Sequence, residues 1–246
     1  MPIDDHLEKL EDLQDSTRHI KLDEPLDSDQ LKNYIILEGK LYGTYSYPDI
    51  FIALKKKHWR TSFTKTHKLL HCEGMLMLNM RQYVDLLNLL ESRSVFYGDG
   101  TKVPQEIRQR LLNNIIDPQE LSRGEWVDIV FSRKDREELI TYHQFLENRL
   151  IKKTEEIDPE TLIAVRKPKL IDLLDWLRNS THQGFPRADV TVGKVGYYYP
   201  CTIGSPSKAR IICADSYYKR QEIHLQIGNP RISVSWMAVR PGKLKV

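Results

Sequence analysis

Residues 196 to 242 read "GYYYPCTIGSPSKARIICADSYYKRQEIHLQIGNPRISVSWMAVRPG". The stretch holds five of the twelve tyrosines and two of the three cysteines. In "EIHLQI", Ile223, Leu225 and Ile227 alternate with Glu222, His224 and Gln226. In "ISVSWMAV", Ile232, Val234, Trp236 and Ala238 alternate with Ser233, Ser235 and Met237. Period-two alternation predicts strands with one apolar and one polar face. From Val190 to Val239 the chain reads as short strands and turns.

Helices are expected upstream. "LIDLLDWLRNSTHQG" (170–184) predicts a helix with Leu173, Leu174, Trp176 and Leu177 on its apolar stripe, closed by Gly184 with Pro186 beyond. "MRQYVDLLNLLES" (80–92) and "PQEIRQRLLNNII" (104–116) carry the same periodicity, and "FYGDGTKV" before the second is a glycine turn. "YPDIFIALKKKHW" is read as a further helix starting after Pro48, with Ile50, Phe51, Leu54 and His58 on one face and the lysines at its C-terminus. "NYIILEGKLYGTY" (33–45) is β-branched and aromatic, a strand and turn, and "GEWVDIVFSRK" is a strand. "ELITYHQFLENRLI" fits strand or helix. The polar "TEEIDPE" is expected to be a solvated loop. The class is α+β, helices first and an antiparallel sheet last.

At 246 residues and 40% hydrophobic content the chain can bury a full core. Its net charge of +3 is unevenly spread. Residues 1–30 hold ten acidic and three basic side chains, a balance of −7, so the rest carries +10. From Thr191 onward nine Lys or Arg face only Asp215 and Glu222. An acidic arm that precedes a basic body can fold back on it, screen it from anions, or be a solvated helix or tail; Leu7, Leu10 and Leu13 offer a short amphipathic helix. Met1 to Gln14 lacks an apolar run, so neither a secretory signal nor a membrane segment is expected. The expected setting is the cytoplasm, or a particle or cell surface reached through a partner. Cys72, Cys201 and Cys213 suit reduced structural thiols better than a disulfide framework.

Catalytic chemistry is sparse. "THKLLHC" places His67, His71 and Cys72 close enough to suggest a metal-dependent hydrolase, but it lacks a fourth ligand and the spacing of a catalytic glutamate, so a structural histidine pair is the plainer reading. Ser205, Ser207 and Lys208 lack the strand–turn–helix that exposes a nucleophile. The basic C-terminal region with Tyr197, Tyr198 and Tyr199 leaves nucleic acid open as a partner through stacking and phosphate contacts.

The order of several segments resembles a known family. "DLLDWLRNSTHQGFPRADVTVGKVGYYYP", then "AR", "ADS" and "AVRP", preceded by "VFYGDGTKVPQEIRQRLLNNI" and "RGEWVDIVF", is similar to the variable proteins of archaeal diversity-generating retroelements over residues 95 to 240. "SWMAVR" departs from that family's ending, and residues 211–213 run one residue longer than its pattern. The resemblance implies a C-type-lectin-like fold over residues 31–246 after an acidic arm at 1–30, with helices packed against a C-terminal antiparallel sheet of short strands and long loops. It further implies a non-enzymatic protein whose region 196–240 displays residues diversified through adenine-directed mutagenesis toward a macromolecular, in the first instance protein, ligand. Adenine replacement in Asn-type codons never yields Lys, Gln, Glu, Trp or Met, so those residues are scaffold. The positions left for ligand binding are Thr202, Ser205, Ser207, Arg210, Asp215, Tyr217, Tyr218, His224, Asn229, Arg231, Ser233 and Ser235. Neither cofactor nor catalytic residue is implied, and the calcium-binding residues of sugar-binding lectins are absent from "GNPR".

Overall fold

The computed structural model of the chain describes residues 27–116, 124–134, 137–146, 149–162, 169–193, 195–197, 210–217, 222–228 and 237–245. The leucine helix expected in the acidic arm and the strand through Trp236 lie outside them. The arm's last residues form a single turn, α1 (Ser28–Leu31), whose orphan amide at Gln30 donates to the Asp27 side chain.

"NYIILEGKLYGTY" gives β1 (Tyr34–Leu37), β2 (Lys40–Tyr42) and the start of β3 (Tyr45–Tyr47), and the β2–β3 hairpin turns at Gly43 with φ +57°. The helix expected after Pro48 is instead β4 (Ile50–Ala53). All four of its residues are buried, between β1 on one side and the last strand, β14 (Pro241–Leu244), on the other. A helix of that sequence would bury one stripe, whereas a continuous apolar run closed on both faces suits a central strand. The lysines that follow are not a helix end either: Lys56 and Lys57 each pair with a carboxylate, Glu125 and Glu73.

Next come α2 (Phe63–Cys72), β5 (Leu76–Met77) and α3 (Met80–Glu91). A capping box starts α3: Asn79 accepts from the Gln82 amide while the Gln82 side chain accepts from the Asn79 amide. This helix is buried nearly all round, and it packs against α4 (Gln105–Ile116), β1 and β6 (Gly124–Lys134). The glycine turn before α4 is present, with Gly100 at φ +84°. The ambiguous "ELITYHQFLENRLI" resolves to strands, β7 (Glu137–Leu146) and β8 (Arg149–Glu156). The second corrects the loop expected at "TEEIDPE": Thr154, Glu155 and Glu156 complete β8.

After β9 (Lys169–Ile171) the helix around Trp176 is α5 (Leu173–Arg178), shorter than expected. It stops at Asn179, and Gly184 sits in a later turn at φ +88°. Trp176 and Leu177 are buried as the stripe requires, but Leu174 is 42% exposed. The chain closes with β10 (Val195–Tyr197), β11 (Arg210–Tyr217), β12 (Glu222–Gly228), β13 (Met237–Ala238) and β14. Met237 and Ala238 are both buried, so neither face of β13 is open to solvent.

The architecture is α+β, with strands before, between and after the helices rather than helices first. One sheet runs β1-β4-β14-β5, and an eight-stranded sheet runs β8-β7-β6-β11-β12-β10-β9 with β13 on β6. It is mixed rather than antiparallel, because β10 pairs β12 and β13 pairs β6 in parallel. The apolar core extends from Ile35 to Leu244, and α4 packs against β11 and β12.

Candidate functional site

Two places concentrate chemistry among the described residues. The first is where β6 loses register with β11. Ile211 lies opposite Val130 and Cys213 opposite Trp126, so β6 spends extra residues, Val127 to Ile129, between these pairs. Bulges of this kind bend a strand and re-aim its side chains. Freed from β11, the Asp128 amide donates to the Leu78 carbonyl.

Extending the β6–β7 register from Val130↔Thr141 puts Asp128 across from His143. There the carboxylate replaces a main-chain acceptor: the His143 amide donates to Asp128 Oδ2 at 2.9 Å, and His143 Nδ1 lies 3.0 Å from the same oxygen. His67 of α2 approaches from the other side, its Nε2 3.2 Å from Asp128 Oδ1. That nitrogen is buried without a well-directed hydrogen bond. The His67 ring is held edge-on to Phe63 at 4.6 Å and tilted to His143 at 5.3 Å. Burial opposes ionisation of Asp128, but the facing His143 and His67 outweigh it and hold the carboxyl well below its ordinary range. At His143 burial favours the neutral ring, and Asp128 overturns that, raising its pKa.

His71 and Cys72, expected beside His67, do not join this cluster. His67, Asp128 and His143 offer donor atoms within 4.8 Å of one another. Cys72 is exposed and free. Helical spacing pointed to His67, but its partners come from strands 61 and 76 residues further along the chain, which no local motif reveals.

The second place is the β11–β12 pair. Register sets Asp215 opposite His224 and Tyr217 opposite Glu222. Positions two apart on a strand share a face, so the expected binding positions Asp215, Tyr217 and His224 fall on one face, together with Cys213↔Gln226. The other face takes Ile212↔Ile227, Ala214↔Leu225 and Ser216↔Ile223. Arg210 belongs by parity to this second set, apart from the other three. The register irregularity with β6 falls between Ile211 and Cys213. Thr202, Ser205, Ser207, Tyr218, Asn229, Arg231, Ser233 and Ser235 lie outside the described residues.

Two buried ionic networks flank these places. Glu125 receives Arg240 at 2.9 Å and Lys56 at 3.0 Å, and Arg240 also donates to the Ala53 and Leu54 carbonyls. Asp85 accepts from Tyr42 and Tyr47, each at 2.6 Å, from Lys40 at 3.1 Å and from Arg81 at 2.9 Å. Arg81 further donates to Ser180 Oγ and the Thr181 carbonyl, which ties α3 to the turn after α5.

No family model, curated protein or solved structure matches this chain. No helix among the described residues is long and apolar enough to cross a membrane.

Proposed function

We propose that this chain is a non-enzymatic ligand-binding protein of C-type-lectin class, a variable protein of a diversity-generating retroelement, whose β11, β12 and adjoining loops present a diversifiable surface to a protein ligand. The observation that carries the reading is the register of β11 on β12, which puts Asp215, Tyr217 and His224 with Glu222 and Gln226 on one face and Ile212, Ile223, Leu225 and Ile227 on the other. Aromatic and small polar residues on a rigid frame give contact area and adaptable hydrogen bonds at small entropic cost.

The frame around that surface supports the same reading. Before it, β10 is paired on both sides, to β9 and β12; after it, β13 joins β6 and β14 lies between β4 and β5. Changes between two such anchored ends need not propagate into the core. Arg240, which follows the segment directly, is buried and bonded to Glu125 and two carbonyls, a role any replacement would forfeit.

The deciding experiment is genomic. The 3′ end of the gene should have a near-copy close by that differs almost only where the copy has adenine, beside a reverse transcriptase gene, and related isolates should differ at the twelve positions named above. A locus without such a repeat overturns the retroelement assignment. Binding that collapses steeply with added salt would instead identify a nucleic-acid module.

A further inference from the structure

We propose that His67, Asp128 and His143 form a binding site for one divalent first-row transition-metal ion of the Zn2+, Co2+ or Fe2+ class. The inference is independent of the ligand-binding reading. It rests on the placement and chemistry of the three donors.

For metal–ligand bonds of about 2.1 Å, ligands at right angles stand about 3.0 Å apart and ligands at tetrahedral angles about 3.4 Å. Asp128 Oδ1 lies 3.2 Å from both His67 Nε2 and His143 Nδ1. Those separations already match the edges of such a coordination polyhedron. Rotation of the two partly exposed imidazoles would bring the nitrogens, now within 4.8 Å, closer to one ion.

The donors are also oriented from behind, as ligands of metal sites generally are. The His143 amide holds Asp128 Oδ2, leaving Oδ1 between the imidazoles. Asn79 Nδ2 donates to the His143 carbonyl at 3.1 Å and is itself fixed by the α3 cap and by Tyr45. Phe63 packs on the His67 ring and on Trp126, closing an apolar wall beside the donors. The buried His67 Nε2 has no well-directed hydrogen bond, although it sits 3.2 Å from the Asp128 carboxylate, so an ion bound between them would displace no such bond from it.

Ligand chemistry selects the ion. Two imidazoles and one carboxylate suit zinc, cobalt and iron, whereas calcium and magnesium require mostly oxygen donors. The Asp128 carboxylate is 2% exposed and the His67 Nε2 is buried, while the two imidazole rings are partly exposed, so the ion would sit beneath the rings rather than at the surface. Three protein donors there leave coordination positions for water or for a donor atom of another molecule.

The test uses the full chain, freed of any tag and treated with chelator, titrated with Zn2+ by calorimetry and with Co2+ by visible absorption. The expected result is one saturable ion per chain and a Co2+ spectrum with nitrogen–oxygen ligation. His67→Gln and His143→Gln should each weaken Zn2+ binding at least ten-fold, since loss of even an outer-shell partner costs about 10- to 100-fold. His71→Gln should bind as the parent does. His67→Gln alters one partly exposed helical residue, so its fold, checked by circular dichroism, is expected to survive if a strand variant fails. Absence of a stoichiometric ion in the parent overturns the proposal, as does equal weakening by His71→Gln or unchanged binding by His67→Gln.

Discussion

Arg240 donates through Nη2 to Oε1 of Glu125 at 2.9 Å, joining the chain just before its last strand to the start of β6, 115 residues earlier. Both side chains are buried, and Lys56 approaches the same oxygen from the segment after β4. Each charge therefore depends on the others: a buried ion pair is often replaceable as a unit, but removing one partner leaves an uncompensated charge out of water.

Glu125→Gln is accordingly expected to cost about 3 to 5 kcal/mol in urea denaturation, because Arg240 and Lys56 stay buried without their carboxylate. Burial disfavours the Glu125 anion, but Arg240 and Lys56 outweigh that and hold its pKa at about 2, against an ordinary 4.5. A depressed carboxyl contributes stability that is complete above its unfolded value and lost as pH falls through the folded one. The parent should lose this contribution between pH 4.5 and about 2, and Glu125→Gln should lack that part of its acid transition.

The Asp85 network makes a prediction at the other end of the pH scale. Burial first, then the neighbouring Asp85 carboxylate, raises the Tyr47 phenol far above its ordinary 10.0, and burial likewise raises Tyr42, Tyr45 and Tyr142. These four should stay protonated in the native state when ultraviolet absorbance is followed through pH 10. Because their folded values are raised, their stabilising contribution is intact below pH 10 and declines above it. Tyr47→Phe should cost about 1.5 to 3 kcal/mol, the range for a hydrogen bond to a charged group. Leu41→Ala, at a residue 75% exposed, should be nearly silent in the same measurement.

Much of this framework was legible from local pattern. Amphipathic spacing found α3 and α4, and alternation found β6 and β12. The failure at β4 is instructive, because Ile50, Phe51 and Leu54 satisfy a helical stripe while Ile52 and Ala53 are buried as well. Only the folded sheet shows β4 to be an interior strand, hydrogen-bonded edge to edge between β1 and β14, and β14 arrives from the far end of the chain. Asp128 and His143 were illegible for a related reason: a bulge and a cross-strand register bring them to His67, and neither leaves a spacing signature. Glu125 and Arg240 stood inside the quoted family-like segments, but their pairing needs the fold.

Gly184 offers a test of the turn that follows α5. Its φ of +88° is strained for any residue with a side chain, and an added Cβ would come within 2.8 Å of main-chain atoms of Arg81. Backbone has nowhere to move there, so Gly184→Ala should destabilise by well over about 1 kcal/mol, beyond the conformational term alone. Gly43→Ala has a comparable φ of +57° but meets nothing within 4 Å, and it should show only that term. Thermal midpoints of the two variants give the comparison; equal losses would mean that the approach to Arg81 is relieved by local movement.

The division between frame and displayed surface is tested by setting Trp176 against the β11–β12 region. Trp176 is fully buried, and its Nε1 donates to the Gly184 carbonyl at 3.1 Å, so the side chain fills the core and braces the turn together. Trp176→Ala should cost about 3 to 5 kcal/mol, as truncation of a buried Trp does. Simultaneous replacement of Tyr217, Tyr218, His224 and Asn229 by other polar residues should shift stability by no more than about 0.5 kcal/mol per site, the usual range at surface positions. By register Tyr217 and His224 fall on the face of the strand pair that also takes Asp215, Glu222 and Gln226, together with Ile211 and Cys213, while Ile212, Ile223, Leu225 and Ile227 fall on the other. Denaturation of both variants, each also assayed against a binder selected on the parent, separates the roles. The fourfold variant should fold and lose the binder, since aromatic side chains dominate binding hot spots. Unfolding of the fourfold variant would exchange the two faces, because a slip of one residue carries a whole strand's side chains to the other side.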